Sequence, residues 1–178
     1  MIPIIFTRTK LEDVIIIGTE NHVDHRGVFA RTFCQQEFEA NGLNARIAQC
    51  NISFNARKGT LRGLHYQEPP FSEVKLVRCT RGSVYDVIVD LRRQSPTFKE
   101  WIGVTLDAEF RNMVYIPEGC AHGFLTLEDN SEIFYQMSAF YSPGSARGVR
   151  WNDPAFQINW PGDAAVISER DSSYPDFE

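Results

Sequence analysis

Histidine and cysteine are scarce in this chain, with four of each in 178 residues, and long apolar runs are missing. Cys34, Cys50, Cys79 and Cys120 form no CxxC pair and no zinc-like spacing, which excludes a zinc knuckle or dithiol redox motif and leaves buried, reduced thiols as the expectation. The apolar stretch from Ile2 to Phe6 is too short for a signal core or a membrane span, and Arg8, Lys10, Glu12 and Asp13 follow at once. A cytoplasmic protein with no membrane partner is expected. An excess of positive charge is also absent: 18 Lys and Arg against 23 Asp and Glu give a net charge of −5. No global field therefore attracts nucleic acid, and an anionic ligand has to be held by a local basic cluster. Repeats, low-complexity tracts and Ser/Gly linkers are missing as well, so residues 1–178 are expected to form one domain.

What is present is a pattern of short strands. Hydrophobic residues make up 43% of the chain and aromatics 12%, sufficient for a sizeable core. One helix is predicted over Gln35–Ala40, closed by Asn41 and Gly42. Strands are predicted at Val14–Ile17, Lys75–Arg78, Ser83–Leu91, Trp101–Leu106, Asn112–Ile116, Gly123–Leu127 and Glu132–Met137. In Ser83–Leu91, Tyr85, Val87, Val89 and Leu91 share one face and Asp86 and Asp90 the other. Gly82, Ser95-Pro96, Pro117-Glu118-Gly119, Asp129-Asn130 and Pro143-Gly144 supply the turns. Many strands at roughly ten-residue spacing imply an antiparallel sandwich or barrel. The expected fold is mainly β, a jelly-roll barrel with a few short helices, whose open mouth is a natural pocket.

Two of the four histidines sit in strand-like contexts, in Arg62-Gly63-Leu64-His65-Tyr66-Gln67 and Ala121-His122-Gly123-Phe124. Pro117-Glu118-Gly119-Cys120-Ala121-His122 matches the Pro-x-Gly-x-x-His half of the cupin signature. The other half needs His-x-His and a carboxylate, and here offers His65 alone. Three protein ligands are the usual minimum for iron or zinc, so no metal is expected. An unperturbed imidazole titrates near neutral pH, so His65 can instead serve as a general base, given an acidic partner to fix its tautomer. Spacing alone does not choose that partner. The bland alternative is a satisfied core or interface histidine. Arg62, Lys75 and Arg78 lie close by, which suits a diphosphate. A solvated face with ordinary ion pairs accounts for them equally well. Tyr135 and Tyr141 could supply a phenolic acid or a stacking ring, although strand tyrosines more often pack.

These residues stand in longer strings: Asp24-His25-Arg26-Gly27-Val28-Phe29, Gln49-Cys50-Asn51-Ile52-Ser53, Gly59 to Gln67, Lys75 to Arg78 and Val89 to Arg92. Ser95 to Phe98, Ile116 to Gly119, Ala121 to Phe124, Tyr141-Ser142-Pro143, Trp151 to Pro154, Trp160-Pro161 and Ser168 to Asp171 follow in order. In that order, over nearly its whole length, the chain resembles the dTDP-4-dehydrorhamnose 3,5-epimerases, cupin-type enzymes of deoxysugar biosynthesis. The resemblance implies a nucleotide-linked 4-keto-6-deoxyhexose as substrate, no cofactor, and a homodimer that exchanges a strand across its interface. It assigns His65 as the base, Asp171 as its orienting partner, Tyr135 as the acid and Lys75 as the group that stabilises enolate oxygen. Arg62 and His122 would line the sugar and phosphate region. Arg26 and Phe29 would reach a partner's nucleotide, with Gln49, Asn51 and Tyr141 completing that site and Tyr141 stacking on the base.

The chain departs from the family pattern on the nucleotide side. Arg31 stands where the family usually has Glu, and Ala146, beside Arg147, replaces a second Glu. Arg170 replaces a Lys and keeps the charge. Thymine N3–H donates to a carboxylate, whereas cytosine N3 accepts, so Arg31 inverts the hydrogen-bonding sense and raises a CDP-linked sugar as the alternative to a dTDP-linked one. Neutral drift at a rim contact is the competing explanation. Inversion at C3, at C5 or at both is left open, as is a metal-free cupin that only binds a nucleotide sugar.

Overall fold

In the computed structural model, which describes residues 2–178, thirteen strands and two short helices follow one another along the chain. The first are β1 (Ile4–Arg8), β2 (Ile15–Thr19), β3 (His22–Asp24), β4 (Gly27–Phe29) and the helix α1 (Gln35–Ala40). Then come β5 (Gln49–Asn55), β6 (Leu61–Gln67), β7 (Lys75–Arg81), β8 (Ser83–Asp90) and β9 (Trp101–Asp107). The chain closes with β10 (Met113–Ile116), β11 (Cys120–Thr126), β12 (Ser131–Met137), β13 (Ala146–Gly148) and α2 (Glu169–Ser172).

The strands form a six-stranded sheet, β1-β2-β10-β7-β12-β5, and a five-stranded sheet, β13-β6-β11-β8-β9, with β3–β4 as a separate hairpin. Every paired strand runs antiparallel to its neighbour. Val77 and Cys79 from one sheet meet Val84, Ile88 and Phe124 from the other in the central core. This is the jelly-roll sandwich expected of the alternating apolar pattern. The outer face of the six-stranded sheet is covered by α1 through Phe38, which is 1% exposed and stands edge-on to Phe6. Burying such a ring stabilises by roughly 2–3 kcal/mol. The outer face of the five-stranded sheet is covered by the C-terminal segment through Val149, Phe156 and Phe177.

Differences from the sequence-based elements have clear causes. β5 and the hairpin β3–β4 are strands whose residues are mostly exposed, so they carry no burial pattern to read. β8 is buried on both faces, one against the other sheet and one against the C-terminal segment. Asp86 and Asp90 therefore point inward, not to solvent.

Asp90, fully buried, accepts hydrogen bonds from the Arg92 backbone N–H and guanidinium, from Ser95 Oγ and from Thr97 Oγ1. Burial opposes its charge, but these donors outweigh it and bring the carboxyl down to about 2, well below the ordinary aspartate range. A depressed folded value means that the contribution is complete above the unfolded value and is lost as pH falls through about 2. The difference corresponds to about 2 kcal/mol. Thermal melts between pH 2 and pH 7 should show Asp90→Asn less stable than wild type at neutral pH, with the gap closing below pH 4. A gap that stayed constant with pH would show that the carboxylate charge contributes nothing.

Candidate active site

Between the two sheets opens a cavity of about 420 Å³ lined by Arg62, His65, Lys75, His122, Tyr135 and Asp171, with Ile52, Ser53 and Phe54 of edge strand β5 at its side. The walls are chemically distinct. β6 and β11 of the five-stranded sheet bring Arg62, His65 and His122, whereas β7 and β12 of the six-stranded sheet bring Lys75 and Tyr135.

His65 and His122 are register partners across β6 and β11. Their strands approach closely where Gly63 faces Gly123: a Cβ on Gly63, whose φ is +116°, would lie 2.5 Å from the Gly123 Cα. Only glycine permits both the conformation and the approach. Gly63 also donates its N–H to Asp171 Oδ2 at 3.1 Å. Asp171 arrives from 106 residues away, because Gly59 and Leu61 hold Val166 in a parallel bridge beside β6. Ser168 then caps α2 by accepting the Asp171 N–H at 3.1 Å. That cap explains the Ser-x-x-Asp spacing physically: it sets the turn that aims the carboxylate at His65.

The Asp171 Oδ1 lies 2.7 Å from His65 Nε2. Burial works against the Asp171 charge, but the His65 hydrogen bond and charge, with the Gly63 and Ser168 bonds, hold the carboxyl below its ordinary value. Asp171 is thus an anion, 7% exposed, against a His65 side chain that is 39% exposed at the cavity. It accepts Nε2–H and leaves Nδ1 as the nitrogen able to take a proton. Burial pushes the His122 imidazole below its usual value, against the pull of Asp86 and with Lys75 and His65 adding to the shift. Its Nδ1 lies 3.4 Å from both oxygens of the fully buried Asp86. Arg62 is fixed by Nε donation to Asn55 Oδ1 at 2.7 Å.

Six of the residues singled out in the sequence thus meet in one cavity. The others lie outside its lining. Gln49 accepts the backbone N–H of Tyr141, which stands 54% exposed on the loop after β12. Asn51 is paired with Tyr135 between β5 and β12. Arg170, on α2, donates Nε to the Tyr174 hydroxyl at 2.8 Å, and the Tyr174 ring stands edge-on to His65. Arg26 and Phe29 lie on the exposed β3–β4 hairpin, away from this chain's own cavity, where Arg26 pairs with Asp24. Arg31 donates to Glu37 at 2.9 Å, and Arg147 pairs with Glu68 at the same distance. Arg31 thus meets a carboxylate of its own chain, and so does Arg147, the neighbour of Ala146. Sequence reasoning missed Asp86, Asn55 and Tyr174. For Asp86 a signal existed: an acid alternating with Val84 and Ile88 on the inward face of a strand. Among the described residues no group of three or more His, Cys, Asp or Glu is placed to hold a metal ion, and no helix is long and apolar enough to cross a membrane.

A jelly-roll sandwich with a histidine–aspartate pair facing lysine and tyrosine across its mouth is a cupin-type protein fitted for proton transfer. Over residues 8–178 it matches the family model of dTDP-4-dehydrorhamnose 3,5-epimerase. It is 44% identical to the dTDP-4-dehydrorhamnose 3,5-epimerase of Shigella flexneri, over 92% of this chain and 91% of that protein. Identity to the corresponding protein of Methanothermobacter thermautotrophicus is 45%, over 95% and 92% of the two chains. Among solved structures, it superposes with a TM-score of 0.95 on the Bacillus anthracis dTDP-4-dehydrorhamnose 3,5-epimerase with TDP and pyrophosphate bound, at 35% identity, covering 98% of this chain and all (100%) of that one. A 3'-monoepimerase from Streptomyces bikiniensis in complex with dTDP-quinovose superposes with a TM-score of 0.88, at 35% identity, covering 96% of this chain and 86% of that one. The chain belongs to the dTDP-4-dehydrorhamnose 3,5-epimerase family.

Proposed function

We propose that this protein epimerises a dTDP-linked 4-keto-6-deoxyhexose at C3 and C5, in deoxysugar biosynthesis and without metal or cofactor. The observation that carries the reading is the placement of His65 with Asp171 on one wall of the cavity and of Lys75 with Tyr135 on the other. Inversion at carbon needs a base on one face and an acid on the opposite one. The C4 ketone acidifies the hydrogens on both neighbouring carbons. His65 Nδ1 takes one of them as a proton, and the C–H electron pair moves into the carbonyl to form an enolate. Asp171 stabilises the imidazolium, and the Lys75 ammonium stabilises the enolate oxygen. The Tyr135 phenol then donates its proton to the other face of the same carbon, after which phenolate and imidazolium exchange protons with water. C3 and C5 flank the same carbonyl, so one enolate-stabilising group serves both.

The dTDP group is favoured by the TDP and dTDP-sugar ligands of the structural neighbours and by the pairing of Arg31 with Glu37. Arg62 and Arg170 would meet the diphosphate, with Gln49, Asn51 and Tyr141 around the base. A homodimer fits the exposed apolar surface: Val23 is 68% and Phe29 66% exposed on the hairpin, and Ile52 is 65% exposed on edge strand β5. Arg78 sits over Phe134 with its buried Nε lacking a partner among the described residues, as expected of a group completed by a second chain. In that dimer the hairpin would carry Arg26 and Phe29 to the partner's nucleotide. Four unpaired cysteines suit a reducing cytoplasm.

The test is proton NMR in D₂O with dTDP- and CDP-4-keto-6-deoxyglucose. Loss of both the C3–H and C5–H signals, faster with the dTDP sugar, is the expected result. Loss at one carbon would make this a single-centre epimerase. No exchange with either sugar would overturn the reading.

A further inference from the structure

The Lys75 ammonium has three N–H donors to place. Its nitrogen is held 3.1 Å from Glu73 Oε1 as an ion pair and donates one N–H to the His65 carbonyl at 3.4 Å. Donor capacity is left for the cavity. The Glu73 carboxylate lies just before β7, outside the cavity lining, and is as buried as the lysine, with side chains 6% and 9% exposed. Its second oxygen accepts Gln67 Nε2 at 3.1 Å. Gln67 is itself fixed: it is 3% exposed, donates to the Phe71 carbonyl at 2.8 Å and accepts the Ser142 N–H at 2.6 Å. The carboxylate thus has a set position that does not depend on Lys75.

An exposed lysine–glutamate pair would say little, since two flexible side chains in water hold each other weakly. A buried pair differs, because neither charge is left unpaired without large cost and the geometry is tight. We propose that Glu73 is a positioning residue for the epimerisation. Clamped by Gln67, it fixes the Lys75 ammonium so that an uncommitted N–H faces the oxygen on which enolate charge develops. Donors aimed before the reaction stabilise that charge without reorganising during it. This assignment rests on the epimerase reading of the cavity.

Glu73→Ala is expected to lower kcat by about 10- to 100-fold, on the scale of a misaimed oxyanion donor, with KM changing far less. Glu73→Gln keeps an acceptor oxygen for the ammonium and should recover most of that loss. A merely structural ion pair would lower the melting temperature of Glu73→Ala and leave kcat per folded molecule unchanged, and that result would overturn the proposal. Glu73→Asp guards against a variant that fails to fold: it keeps the charge but shortens the reach, so kcat should fall, and an unchanged kcat counts against positioning. Wild-type turnover, measured alongside, separates this proposal from the one beneath it. If the wild type exchanges no C3 or C5 hydrogen, the epimerase reading fails, and NMR of ¹⁵N-labelled lysine then decides Glu73 without activity. An ordered Lys75 ammonium signal lost in Glu73→Ala supports the clamp, and one that persists refutes it.

Discussion

His65→Ala is expected to lower turnover by about 10³- to 10⁴-fold, the usual scale for losing a general base. Deuterium uptake at C3 and at C5 should fall together, because one imidazole serves both carbons. Affinity for dTDP should stay at the wild-type level, since His65 lines the cavity beside Lys75 and Tyr135, whereas Tyr141, proposed to meet the base, lies outside that lining. The fold should survive as well. Asp171 keeps the Gly63 N–H on Oδ2 and its backbone cap from Ser168, so the carboxylate is not orphaned when the ring is removed. Calorimetric titration with dTDP and NMR of the substrate in D₂O make the comparison. A variant that turned over within about ten-fold of wild type would deny His65 the part of base, since lost bases cost more than that. A variant that also lost dTDP affinity would show a collapsed site and not a missing base.

How much of this site could be read from the chain depends on how each residue is held. His65, His122 and Arg62 sit on adjacent strands within short strings of apolar and glycine residues, so their kinship is local and legible. Lys75 begins β7, and its inward aim follows from alternation with Val77 and Cys79. The alternating runs likewise give away the interior strands β7, β8 and β12 and the edge strand β9. Asp171 is another matter. Its position beside His65 comes from a parallel bridge between Thr60 and Val166, a contact between distant segments that no local pattern records. Only the resemblance connected the two. Glu73 was hidden among 23 acidic residues, most of which face water, because it lies just before its strand, where alternation no longer marks a face. The hairpin carrying Arg26 and Phe29 packs against little of its own chain, so the burial that makes strands readable is absent there.

Tyr135→Phe is expected to separate the two halves of the reaction. The substitution removes one hydroxyl from the cavity wall and leaves the ring packed beside the core, so the fold and dTDP affinity should hold. Inversion should fall by about 10²-fold or more, the lower range for losing a general acid. Hydrogen exchange should fall much less. His65 and Asp171 are untouched on the opposite wall, so the base still takes a proton and Lys75 still stabilises the enolate. The imidazolium exchanges its proton for deuterium and returns it to the face it came from. Substrate recovered from D₂O would therefore carry deuterium with its configuration retained, the signature of a base without its opposing acid. His65→Ala gives the contrasting result, with neither exchange nor inversion, and the pair of variants assigns one role to each wall. If exchange and inversion fell in step in Tyr135→Phe, the phenol would be needed to form the enolate and not to quench it. If inversion continued at the wild-type rate, the acid would have to be another group facing the cavity from the same sheet.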